Sequence, residues 1–428
     1  MEAGSIEIIQ GVFLALGIMD ICDRKENNPV ILFNRFRNLI FLKLRRKTNS
    51  NFFLPQIDGL RFLAIGLVVL IHINVFYLAK NNFIFDKTLT DYPIYFSFLY
   101  NGFKGVELFF VISGFILALP FAKHYLCEED KIPLKEYFWR RLTRLEPPYI
   151  VAMLSFFLIF IFIGKYSFVQ LWPSLLLHLT YIHNFFNNFP NLSGVTWSLE
   201  IELQFYLLAP VLSSIFSLNK FFRRFILFGS IIFLPILQNI FNPSVITLYN
   251  FLQFFLVGFL LVDFYLAGFR LNLAKISSLL LGLASLLVII FLDFSSSNIG
   301  ISLREPLLNR IVFPFVIFLF YFLVLTDNIW KNLFSNKFFT SIGGMCYTIY
   351  LWHTIIISAV GNQLIRVRLS ENFLFDFSLK LSFLFILVIL FSAILFLIIE
   401  KPTMDKNWPK KLYYFVREKF NWIYYEQK

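Results

Sequence analysis

The chain has 428 residues, 58% of them hydrophobic and 15% charged, with 59 phenylalanines; apolar runs of about twenty residues recur along it, which excludes an ordinary water-soluble protein and reads as an integral membrane protein. A formal net charge of +12 would suggest nucleic acid in a soluble domain, but Lys and Arg gather between apolar runs, where they orient a membrane protein, so no nucleic-acid partner is expected. Cys22, Cys127 and Cys346 lie too far apart for a metal-ligand or disulfide pattern, and no metal is expected.

The opening stretch, MEAGSIEIIQGVFLALGIMDICDRK, lacks a basic n-region and is interrupted by Gln10 and Asp20. It is a poor signal peptide and short for a span, and its location stays open. Residues 28–47 carry Arg35, Arg37, Lys43, Arg45, Arg46 and Lys47 among aromatic and aliphatic residues. They read as a basic amphipathic segment on the cytoplasmic surface, attracted to anionic lipid. Residues 1–50 thus form a cytoplasmic or interfacial extension, 51–403 the transmembrane domain, and 404–428 a cytoplasmic tail.

An all-α, polytopic architecture of about ten transmembrane helices follows, with spans near 60–80, 104–122, 148–164, 197–217, 225–241, 248–266, 274–292, 308–326, 341–360 and 378–399. An even number puts both termini on one side, taken as cytoplasmic in a multi-pass protein of the cell membrane. The basic residues then fall in the inner loops: Lys123 to Arg144, Lys220 to Arg224, Arg270, Lys331 and Lys337, with only Lys87 in the outer loop 81–103. Arg366 and Arg368 are the exceptions. Residues 166–186, YSFVQLWPSLLLHLTYIHNFF, would break the alternation and are expected to form a re-entrant or interfacial hairpin.

Several polar residues stand where a membrane makes them costly. In LRFLAIGLVVLIHI, Arg61 and His72 are eleven residues apart, about 20° beyond three full helical turns. They share one face, about 16 Å apart along the axis. His72 lies deep in the span, as a site residue or as an interhelical hydrogen-bonding group. GFKGVELFFVISGFILALPF places Glu107 a turn inside its outer end and Ser113 with Gly114 mid-span, where small residues allow close helix approach or leave room for a ligand. In EYFWRRLTRLEPPYI, Arg140, Arg141 and Arg144 precede the Pro147–Pro148 pair that starts the third span; Arg141 and Arg144, one turn apart, suit phosphate or serve as a positive-inside anchor. GVTWSLEIELQFYLLAP sets Trp197, Ser198, Glu200 and Glu202 at the outer face, Glu200 as a solvated surface group and Glu202 as a candidate to orient a histidine or accept a proton. GGMCYTIYLWHTI aligns Tyr347, Tyr350 and His353 on one face, and IEKP puts Glu400 at the cytoplasmic boundary. His178 and His183 lie in the hairpin.

Taken in order, IDGLRFLAIGLVVLIH, GVELFFVISGFIL, RRLTRLEPPY, TWSLEIELQFY, YTIYLWH and EKP, spread over about residues 54–403, resemble the membrane-bound acyltransferase-3 family. Its members O-acylate lipopolysaccharide O-antigens, exopolysaccharides, peptidoglycan, Nod factors and some antibiotics. The resemblance implies that His72 is the catalytic histidine, that Arg61, Arg141 and Arg144, with Ser113 beside them, serve an acyl-CoA donor, and that Glu202, Tyr350, His353 and Glu400 are functional, with Glu107, Trp197 and Ser198 as further candidates. Glu107 stands where the family usually has aspartate, Cys346 where it usually has serine, and Glu200 where a small residue is common. Some relatives also carry an extracytoplasmic SGNH esterase-like domain; any such activity is expected here from another protein.

The expectation is an acyltransferase moving an acyl group, in the first instance acetyl, from cytoplasmic acyl-CoA to a hydroxyl of an extracytoplasmic cell-envelope glycan or lipid-linked glycan, without a permanently bound cofactor. Arginines at the inner face and a base eleven helical positions deeper are separated by about the length of a phosphopantetheine arm. His72 is either the general base or the acyl carrier, oriented by an acidic partner such as Glu202 or Glu107. Two other classes stand beside this reading: a flippase for a lipid-linked sugar, which has no need of a CoA-binding arginine cluster, and a non-catalytic membrane scaffold, which has no need of Arg61, His72 and Glu202 inside a bilayer.

Overall fold

The computed structural model describes residues 37–39, 41–46, 53–80, 91–186, 188–241, 243, 245–291, 307–405, 407–411, 413, 414 and 417. Cys22, Arg35, Lys47 and Lys87, with most of the 1–50 extension and the end of the tail, lie outside them. Among the described residues the regular structure is helical, without strands.

In chain order the helices are α1 (Pro55–Lys80), α2 (Pro93–Tyr100), α3 (Lys104–Cys127), α4 (Leu134–Phe162), α5 (Phe168–Leu179), α6 (Trp197–Leu212), α7 (Lys220–Ile240), α8 (Leu252–Leu266), α9 (Lys275–Phe291), α10 (Leu307–Thr326), α11 (Asn328–Phe334), α12 (Lys337–Gly344), α13 (Cys346–Leu364) and α14 (Phe373–Leu395). Several starts are written locally: Ser167, Asn219, Asp327, Asn336 and Asn372 each accept a first-turn backbone N–H and satisfy donors that a helix end leaves open.

Each expected apolar run falls on helix. Seven helical stretches are long and apolar enough to cross a membrane: α1, α2 with α3, α4, α6, α7, α10 and α14. The run at 341–360 is instead a broken pair, α12 and α13, bent by 69°. The break follows Gly343–Gly344, and the close seating of Gly343 explains it: a Cβ there would lie 1.7 Å from the Asp58 carbonyl oxygen of α1. The runs at 248–266 and 274–292 become α8 and α9, of only 15 and 17 residues. Every residue of α8 from Gln253 to Asp263 is buried, so it is apolar on all sides because protein surrounds it. α5, of 12 residues, spans about 18 Å, short of a hydrocarbon core of about 30 Å.

The tightest pairing joins α3 to α8, where Gly114 and Gly258 face each other's helices. A Cβ on Gly114 would meet Phe255 O at 2.2 Å, and one on Gly258 would meet Phe115 N at 2.3 Å. Close packing is thus the role of Gly114. α1 packs against α3, α12 and α13, which makes the helix carrying Arg61 and His72 central. On the outside, Phe225, Leu280, Ile386, Leu390 and Ile398 are exposed, a surface suited to lipid.

Two expectations are corrected. The stretch before Pro147 and Pro148, expected as a loop, is helix: α4 runs unbroken from Leu134 and carries Arg140, Arg141 and Arg144. A proline inside a helix frees the carbonyl four residues back. Thr143 O, freed by Pro147, accepts Trp408 Nε1–H at 2.8 Å, and Arg144 O, freed by Pro148, faces the Thr403 hydroxyl at 3.5 Å. Arg223 and Arg224, expected as loop charges that set topology, both bind the buried Asp263 carboxylate, at 2.6 and 2.5 Å from their Nε atoms; a carboxylate buried at the end of α8 requires such partners.

Candidate active site

A cavity of about 820 Å³ opens among α1, α3, α4, α6 and α13. One part of its wall is cationic: Arg46, Arg61, Arg141 and Arg144 all line it. Arg61 Nη1 is 2.5 Å from Asp58 Oδ1, and Arg46 Nη2 is 3.7 Å from the same oxygen. Arg141 lies over the ring of Tyr137 at 4.0 Å and near that of Tyr206 at 5.6 Å, with Nη1 donating to Tyr137 O. Its charge is held by aromatic faces rather than by a carboxylate. Arg144 makes no ion pair among the described residues, and the buried Nε atoms of Arg144 and Arg46 have no hydrogen-bond partner there. Arg140, at the rim, pairs with Glu136.

Farther in, Glu202 Oε1 accepts two hydroxyls, Ser113 Oγ at 2.7 Å and Tyr206 at 2.6 Å. This carboxylate ties α3 to α6, and the Tyr206 ring carries the link on to Arg141. Glu202, expected near the outer face, lines the same cavity as the arginines and is joined to Ser113 across the helix interface. Glu200 is not a solvated surface group either, being 1% exposed with Oε2 accepting the Asn184 backbone N–H at 3.0 Å. Ser198 and Tyr350 hydroxyls are 2.6 Å apart on the wall, and Tyr350 donates to Val195 O at 2.8 Å. Glu400 closes another side: a π-helical turn, Phe396–Glu400, follows α14 and swings its carboxylate inward to accept from the Thr348 backbone N–H and hydroxyl.

His72 and His353 do not line the cavity; they stand behind Tyr350. The Tyr350 and His353 ring centroids are 5.8 Å apart, and those of His353 and His72 are 4.7 Å apart, edge to face. His72 Nδ1 is 2.8 Å from Val68 O. A carbonyl only accepts, so in the neutral ring the proton sits on Nδ1 and Nε2 keeps its lone pair. The orienting group is thus the helix's own backbone, not Glu202 or Glu107 as expected. His353 is fixed the same way, with Nδ1 on Tyr350 O at 2.8 Å and a buried Nε2 that has no hydrogen-bond partner. Glu107 and Trp197 are also absent from the cavity wall; Trp197 packs on Phe251, with ring centroids 5.6 Å apart. In the hairpin, His178 Nε2 faces Asn191 Oδ1 at 3.1 Å and its ring lies 4.0 Å from that of His183, a local tie away from the site.

Sequence reading missed Asp58, Tyr137, Tyr206, Thr348 and Arg46. Three had a local signal: the i,i+3 spacing of Asp58 to Arg61 and the i,i+4 spacings of Tyr137 to Arg141 and Tyr206 to Glu202.

The model of an acyltransferase domain, acyltransferase family 3, matches residues 54–398. The chain belongs to the acyltransferase-3 family. The match spans Arg61, His72, Arg141, Arg144, Glu202 and His353, while Arg46, Glu400 and Asp405 of the cavity wall fall outside it. The chain is 27% identical over 359 residues to a Staphylococcus aureus protein (strain COL) provisionally named O-acetyltransferase, covering 77% of this chain and 55% of that one. It is 26% identical over 432 residues to O-acetyltransferase OatA of S. aureus strain MRSA252, covering 88% of this chain and 62% of OatA. The chain thus spans somewhat more than half the length of these relatives. No solved structure matches it.

Proposed function

We propose that this protein moves an acetyl group from acyl-CoA to a hydroxyl of a cell-envelope glycan, with His72 as general base. The observation that carries the reading is one cavity that joins four arginines to the Ser113–Glu202–Tyr206 network and ends against Tyr350, behind which the His353 and His72 rings stand. The donor's phosphates would rest on Arg61, Arg141 and Arg144, the pantetheine arm would follow α1, and the glycan would enter from the opposite face of the membrane.

In the reaction the Nε2 lone pair of His72 takes the acceptor hydroxyl proton as that oxygen attacks the thioester carbonyl. The tetrahedral adduct collapses with C–S cleavage, and the imidazolium returns its proton to the leaving thiolate. Glu202 holds the Ser113 and Tyr206 hydroxyls in place along the route. The relatives' names as O-acetyltransferases support acetyl as the group carried.

The test uses purified protein, labelled acetyl-CoA and glycan extracted from cells lacking the gene. Label should enter the glycan with wild-type protein and not with His72→Ala. Transfer at the wild-type rate by the variant would remove His72 from the chemistry; no transfer by wild type to any envelope fraction would remove the glycan assignment.

A further inference from the structure

The extension ahead of the matched domain was expected only to lie on the membrane surface, yet its last described segment is built into the site. Ser341 Oγ donates to Phe41 O at 3.5 Å, Lys401 Nζ donates to Lys43 O, and the Arg45 guanidinium lies 4.6 Å over the Phe53 ring. Beside the α12–α13 elbow this backbone lies against Gly344, with Arg46 N 3.4 Å from where a Cβ would stand. Three attachments along residues 41–45 thus aim the next side chain, Arg46, into the cavity.

Few of the guanidiniums at that end have a carboxylate of their own among the described residues. Asp58 is the one carboxylate between two guanidiniums, with Arg61 at 2.5 Å and Arg46 at 3.7 Å. Glu400 spends one oxygen on Thr348, and Glu202 is engaged by two hydroxyls. Arg141 and Arg144 have no carboxylate of their own among the described residues, and the buried Nε–H donors of Arg46 and Arg144 point at no acceptor. Buried donors are rarely left without acceptors, and several forked cations around one space fit an anion with several oxygens on more than one centre.

We propose that Arg46 is a donor-binding residue: together with Arg144 it holds phosphate of the acyl-CoA, so that the N-terminal extension forms part of the donor site. The inference rests on the acyl-CoA reading above. It adds a fourth guanidinium on the same cavity wall to Arg61, Arg141 and Arg144, so that a donor with several phosphate groups would meet four forked cations. Burial, and then the adjacent Arg61 charge, push Arg46 down to about 9, and a bound phosphate opposes both effects.

The experiment measures coenzyme A binding to full-length protein in detergent by calorimetry, with inorganic phosphate and pantetheine as separate probes, and donor KM and kcat alongside. Arg46→Gln should weaken coenzyme A binding about tenfold or more, as expected for loss of charge-assisted hydrogen bonds, and raise donor KM with kcat within about twofold. Pantetheine, lacking the phosphates, should bind both proteins alike. Equal coenzyme A affinity in wild type and Arg46→Gln overturns this inference and leaves the acyl-CoA reading standing; no coenzyme A binding by wild type overturns that reading itself. Should Arg46→Gln not yield monodisperse protein, Arg46→Lys decides, since it keeps the charge but loses the fork: it should bind several-fold more weakly, and wild-type affinity overturns the inference.

Discussion

The imidazoles of His72 and His353 meet edge to face with centroids 4.7 Å apart, and each ring has its Nδ1 fixed by a carbonyl of its own helix. Both Nε2 atoms are thereby the basic ones. His353 is fully buried while His72 is only partly so, and the His353 ring packs between that of His72 and that of Tyr350.

His72→Ala is expected to lower the rate of transfer by about 10²–10⁴-fold, the usual contribution of a general base, with coenzyme A affinity unchanged because the arginines remain. Single-turnover transfer and calorimetry on the same preparation check both halves. Loss of donor affinity in step with rate would mean that His72 shapes the donor site instead.

Glu202→Ala leaves the Ser113 and Tyr206 hydroxyls without their acceptor and should destabilise the protein by about 1–3 kcal/mol. Glu202→Gln keeps an oxygen that both can donate to and should cost less. Thermal melts of the two variants in one detergent compare them; equal losses would show that the Ser113–Glu202 bond does not hold α3 to α6.

Trp408→Phe keeps the ring and removes the one N–H that reaches Thr143 O. A loss of about 0.5–1.5 kcal/mol is expected, with faster amide exchange along the proline-containing turn of α4. Trp408→Phe with wild-type stability and exchange would mean that water serves this carbonyl equally well.

Much of the site was legible because its signals are local. The Arg61–His72 interval needs only helical geometry, the apolar runs need only composition, and the Arg141–Arg144 spacing survives whether that stretch is loop or helix. The remaining misses share one cause, partners distant in sequence. The stretch before Pro147 and Pro148 read as a loop because the groups that satisfy the freed carbonyls, Thr403 and Trp408, come more than 250 residues later. The tie of Glu202 to Ser113 was not legible because Ser113, 89 residues earlier, gives no sign of it in the local pattern. Arg46 read as one more lipid-facing cation until Ser341, Gly344 and Lys401 fixed the backbone before it.

The Val68 carbonyl that sets the His72 tautomer belongs to the same helix, one turn away. In the proposed reaction the basic nitrogen therefore takes its orientation from a unit that contains neither substrate nor any other segment of the chain. Loops that meet the acceptor can diverge without disturbing the base, and exchanging them between related proteins should redirect which hydroxyl is modified while the chemistry is inherited intact.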